Sequence, residues 1–129
     1  MILPREAELR TLADARPAYE ALVDQAHAAR EARRWAEARD VALVAADMAE
    51  ERGAPDLARH GRNFARRMHA ANFAQRVYGD NFLYPTALPR SVRGQREWRT
   101  FLLVLRPTPQ GRENVIRVRV LNSGKIIVE

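Results

Sequence analysis

The 129-residue chain contains no cysteine. That excludes a disulfide framework, a thiol nucleophile and a zinc–thiolate site, and it fits a reducing compartment, so a cytoplasmic protein is expected. No apolar run approaches the roughly 18 residues that a membrane span needs, so no membrane partner is expected. The opening, Met1-Ile2-Leu3-Pro4-Arg5-Glu6, lacks the basic-then-apolar order of a signal peptide and reads as the start of a helix. Lysine occurs once against 21 arginines, beside 22 alanines. Arginine and alanine codons are GC-rich and lysine codons are not. The ratio therefore reads first as a GC-rich bacterial or phage genome, and only weakly as a preference for bidentate phosphate binding.

What is present is an uneven division of charge. Residues 1–56 carry 12 acidic and 8 basic side chains, a net of −4, whereas residues 57–129 carry 4 acidic and 14 basic ones, a net of +10. Such asymmetry points to an anionic partner: nucleic acid first, an acidic protein surface next.

The first two-thirds reads helical. Segment 4–16 has Pro4 in its first turn and apolar Leu9 and Leu12. Pro17 opens a second helix over 18–33, with Leu22, Ala26 and Ala29 on one side, and Arg33-Arg34-Trp35 makes a turn. A third helix over 36–52 carries the stripe Ala38, Ala42, Ala45 and Ala49 and closes at Gly53 before Pro55. A fourth helix, 56–78, starts at Asp56 and ends at Gly79. At an offset of 35, Leu22, Gln25, Ala26 and Ala29 fall on Leu57, His60, Gly61 and Phe64, and Trp35 and Ala38 begin the intervening helix. This pattern resembles tetratricopeptide helical hairpins, whose repeat is about 34 residues. The match spans 19–77, about one and a half repeats, and departs from the pattern where Ala70 and Phe73 stand in for Trp35 and Ala38. The resemblance implies a groove that binds peptide.

Residues 80–98, with Pro85, Pro89 and Gly94, read as a long basic loop. The last thirty residues read as β. Thr100–Leu105 is a continuous apolar run that suits a strand buried on both faces. Asn114–Leu121 alternates, with Ile116, Val118 and Val120 on one face and Arg117 and Arg119 on the other. A three-residue loop, Asn122-Ser123-Gly124, pairs Val120 with Ile126 and Val118 with Val128 and sets Arg117 opposite Glu129. The expected architecture is α+β. A four-helix N-terminal bundle (1–79) is followed by the basic loop (80–98) and a three-stranded antiparallel C-terminal sheet (99–129) packed on the helices as one folding unit.

Two constellations can bind an anion. On the fourth helix, Leu57, Gly61, Phe64, Met68 and Ala71 form one face, and Arg59, Arg62, Arg66, His69 and Arg76 form the opposite one, with Arg67 to the side. Residues 57–76 hold no acid, whereas solvated helices ordinarily intersperse both signs. Arginines at this spacing reach phosphates or guanine edges. In the loop, Arg90, Arg93, Arg96 and Arg99 recur every third residue beside Trp98, a pattern that tracks a phosphate backbone while the indole stacks on a base. Arg117 and Arg119 add charge on one sheet face. No catalytic motif stands out, and Asp80 and Glu97 are the only acids between 57 and 112. His60 and His69 lie on opposite sides of their helix and His27 stands alone, so no metal or other cofactor is expected. The sequence points to a non-enzymatic nucleic-acid-binding protein. The alternative is a protein–protein adaptor that meets an acidic partner through its helical hairpins or its sheet. The apolar C-terminal strand leaves an edge for a homodimer.

Overall fold

The computed structural model describes residues 4–87 and 99–129. Within them lie four α-helices, α1 (Pro4–Thr11), α2 (Arg16–Glu31), α3 (Trp35–Glu51) and α4 (Pro55–Tyr78). Four strands follow, β1 (Phe82–Ala87), β2 (Thr100–Leu105), β3 (Asn114–Val120) and β4 (Ile126–Val128). The class is α+β, as the sequence implies. The chain divides into two compact units, Met1–Ala65 and Arg66–Glu129, and the boundary falls inside α4. Among the described residues no helix is long and apolar enough to cross a membrane.

In the first unit, α1 is shorter than its apolar pattern suggests. It stops at Thr11, and Ala13 takes a φ of +50° before a single 3-10 turn leads into α2. α2 closes in the expected Arg33-Arg34 turn. Arg33 adopts a φ of +60°, and the Arg33 and Arg34 N–H groups donate to the carbonyls of Arg30 and Ala29 at 2.9 and 2.8 Å, which satisfies the orphan carbonyls of the last turn. Leu12, Tyr19, Ala45, Ala49, Leu57 and Ala58 form one buried cluster, and Ala26, Ala42 and Ala65 form another with Val41 and Phe64 against it.

The start of α4 is capped from a distance. Asp56 is the local candidate, but the Glu8 carboxylate of α1 accepts hydrogen bonds from the N–H groups of Asp56 and Leu57 at 2.9 and 3.2 Å. It thereby satisfies two donors that a helix N-terminus leaves open, and it puts negative charge at the positive end of the helix dipole. Glu8→Ala should lower stability by about 1 kcal/mol. Urea unfolding checks this, with a shifted midpoint and an unchanged slope; an unmoved midpoint would remove the capping role.

In the second unit the strands form an antiparallel meander of order β1-β2-β3-β4. The sheet thus has four strands where three were expected, and β1 occupies part of the segment read as loop. The signal that hides it is Pro85, which stands opposite Leu103 in the β1–β2 ladder. A proline is tolerated there because β1 is an edge strand and needs ladder bonds on one side alone. The C-terminal hairpin has the expected register: Val118 opposes Val128 and Val120 opposes Ile126, and the Glu129 N–H donates to the Arg117 carbonyl at 2.8 Å. Gly124 sits at φ +87°, a left-handed position that closes the three-residue loop at little steric cost. Met68, Ala71 and Ala74 of α4 are buried, as are Phe82, Phe101, Leu103, Leu105, Val118 and Val120 of the sheet. The His69 Nε2–H donates to the Gly124 carbonyl at 2.7 Å and ties this part of α4 to the β3–β4 turn. On the other face of β2, Leu102 and Val104 are half-buried, so the strand is covered more fully on one side than on both.

Candidate functional site

The arginines of α4 do not form one uniform row. Arg59 is hydrogen-bonded to Asp56 one turn back. Arg62 donates to Glu50 Oε2 at 2.5 Å and to Asp47 Oδ1 at 3.3 Å, both on α3. The Arg62 guanidinium holds the Glu50 carboxyl below its ordinary range, through the hydrogen bond first and charge second. Arg66 and Arg67 are half-buried, and both are engaged by other groups. Arg76, at the end of the helix, is exposed. Because Glu50 titrates lower in the folded chain, its pairing supports stability above the unfolded carboxyl value of about 4.3 and loses that contribution as pH falls through the folded value. Glu50→Gln should therefore shift the unfolding midpoint more at neutral pH than in acid, with the difference shrinking as pH falls below the ordinary carboxyl range. Denaturant titrations of both chains across a series of pH values from neutral into acid check this.

On the sheet, the ladder positions Tyr84, Thr86, Leu102, Val104, Val115, Arg117, Arg119 and Ile127 on the face opposite Val118 and Val120. Arg117 and Arg119 both reach Glu129, at 3.6 and 3.5 Å. Tyr84, on the same face but across β2 on β1, is 53% exposed. Arg99 is half-buried at the start of β2 and engaged by other groups. Arg90, Arg93, Arg96 and Trp98 lie outside the described residues. The division into units sharpens the charge asymmetry: residues 1–65 carry 10 basic and 12 acidic side chains, and residues 66–129 carry 12 basic and 4 acidic ones, a net of +8.

The first unit holds a feature that sequence reading misses. α2 and α4 flank the alanines of α3 and leave a hollow of about 200 Å³, lined by Tyr19, Val23, Ala26, His27, Ala42, Ala45, Leu57, His60, Gly61 and Phe64, with Arg5 of α1 at its side. His27 and His60 thus share one hollow although no spacing rule relates them. His27 meets Phe64 edge-on at 5.4 Å between ring centroids, and the Arg30 guanidinium lies 5.8 Å from the same ring. Tyr19 is only 7% exposed, and burial raises its phenol pKa.

Among the described residues no group of three or more His, Asp or Glu side chains is placed to hold a metal ion. No protein-family model, curated protein or solved structure matches the chain.

Proposed function

We propose that the chain is a non-enzymatic nucleic-acid-binding protein whose phosphate contacts come from the arginines of its second unit and of the segment before β2. The observation that supports this reading is where positive charge remains in excess. In the first unit acids outnumber bases, and α3 carboxylates engage Arg62. The second unit carries a net +8. A surplus of that size on a small unit is what neutralising a phosphate backbone requires. Arg76, Arg99, Arg117 and Arg119 are the described residues to which we assign contacts. Tyr84 offers a ring for stacking. Arg66 and Arg67 belong to the same unit, and Arg90, Arg93, Arg96 and Trp98 extend the set by sequence. The cysteine-free composition supports a cytoplasmic setting.

Fluorescence anisotropy with single- and double-stranded oligonucleotides at about 50 and 200 mM salt tests the reading. Six phosphate contacts give a log–log salt slope of roughly −4 to −5.5, depending on strandedness. Arg117→Ala with Arg119→Ala should reduce that slope by up to about two contacts, and Arg62→Ala should leave it unchanged. No binding to any oligonucleotide at low salt would end the reading.

A second reading, an adaptor for an acidic protein, draws on two features. The arginines Arg59 and Arg62 are engaged within the first unit, and the open sheet face mixes Tyr84, Leu102, Val104 and Ile127 with arginine, as protein interfaces do. Failure of the oligonucleotide titration would promote it. Either reading accommodates a homodimer through the β4 edge, where Val128 is 51% exposed. Light scattering at high micromolar concentration should give twice the 14.7 kDa chain mass; a monomer mass would remove the dimer.

A further inference from the structure

We propose that the hollow bounded by α2, α3 and α4 binds a small organic carboxylate, a molecule with one ring-sized apolar body and a single carboxylate group. The inference concerns the first unit alone and stands apart from the nucleic-acid reading, which concerns the second.

Size comes first. A cavity of about 150 Å³ lined by apolar side chains accepts benzene. The hollow here, at about 200 Å³, has room for a ring and a short acid arm. It is smaller than the roughly 300–1,000 Å³ of sites for larger ligands. Its volume exists because α3 presents alanines there: Ala42 and Ala45 form its base, and Val23, Leu57 and Phe64 form apolar walls.

Its polar groups decide the charge of the occupant. Four polar side chains line the hollow, Arg5, Tyr19, His27 and His60, and no acid does. Elsewhere in this unit, cations are engaged by carboxylates: Arg16 by Glu6 and Glu20, Arg52 by Asp14, Arg62 by Asp47 and Glu50. Among the described residues, none of the four lining groups has a hydrogen bond or ion pair. For Arg5, His27 and His60, which are exposed at the rim, water serves. Tyr19 is 93% buried as a residue, but its hydroxyl still reaches water, so a ligand oxygen can take the place of that solvent. Arg5 and Glu8 both act electrostatically on the Tyr19 phenol, Arg5 the more strongly. A guanidinium and a phenol hydroxyl lining one hollow are complementary to the two oxygens of a carboxylate. The absence of lining acids disfavours a cation, and one guanidinium suits a monoanion better than a phosphate. An adjoining hollow shares Arg5, Tyr19 and Val23 but is also lined by Glu20 and Asp24, so repulsion directs an anion to the acid-free side.

The test uses the full chain, labelled with 15N, titrated with phenylacetate, its cationic counterpart phenethylamine and the neutral benzyl alcohol. Phenylacetate should give saturable amide shifts at Tyr19, Val23 and Phe64, with benzyl alcohol weaker and phenethylamine weakest. Arg5→Gln, at an exposed position, should weaken phenylacetate by about tenfold and bring it level with benzyl alcohol. Tyr19→Phe should weaken it several-fold, and Val23→Phe should abolish binding by filling the space, with circular dichroism unchanged. The proposal is overturned if phenylacetate gives no saturable shifts, if the shifts fall in the second unit, or if Arg5→Gln binds phenylacetate as tightly as the parent chain.

Discussion

Val118→Asp should prevent folding of the second unit, while Arg117→Asp, one residue away, should be tolerated. Val118 is 0% exposed and lies between Phe101 and Val128 in the ladders. An aspartate there buries a carboxylate among apolar partners with no cation at hand. That costs several kcal/mol, a large part of the roughly 5–15 kcal/mol that a domain has. Arg117 is exposed on the opposite face, so its replacement costs the contact with Glu129 and brings two acids together in water, an effect of about 1 kcal/mol. Far-UV circular dichroism and urea titration of both variants give the comparison. Equal destabilisation would overturn the assignment of faces.

Gly61→Val should destabilise the first unit, against the trend of helix propensity. In an open helix, replacing glycine by almost any other residue gains up to about 1 kcal/mol. Here a Cβ at position 61 would lie 3.0 Å from the Ala46 Cβ and 3.3 Å from the Ala42 carbonyl oxygen. Valine adds two further carbons that its branched side chain cannot swing away. α3 would have to move, and overpacking of this kind costs about 1–3 kcal/mol. The sign is the diagnostic. A raised melting temperature for Gly61→Val would mean that α3 and α4 do not approach as closely as the structure has them.

Features of the fold written in neighbouring residues are legible in the sequence. The β3–β4 register follows from alternation and from the pairing of Arg117 with Glu129, and the helix spans follow from alanine stripes bounded by Pro17, Gly53 and Pro55. Features that depend on distant residues are not. The α4 cap is Glu8, 48 residues away, where local capping rules look within one turn. β1 is concealed because Pro85 signals a loop in any reading that does not know the strand lies at an edge. The charge on α4 is visible as a row of arginines, but its engagement by Asp47 and Glu50 requires α3 to pack alongside. The hollow is the extreme case: His27 and His60 are unrelated until α2 and α4 flank the same alanines.

The meander also orders events in time. Five residues separate β3 from β4, eight separate β2 from β3, and twelve separate β1 from β2. The entropy lost in closing a loop grows with its length, so the sheet should zip from its C-terminal end and add β1 last. In a polypeptide leaving the ribosome, β1 emerges early and then waits for every residue through β3 before its partner strand is flanked on the other side. Substitutions in the β2–β3–β4 hairpins should therefore slow refolding, whereas substitutions in β1 should act on the rate of unfolding and leave refolding nearly unchanged.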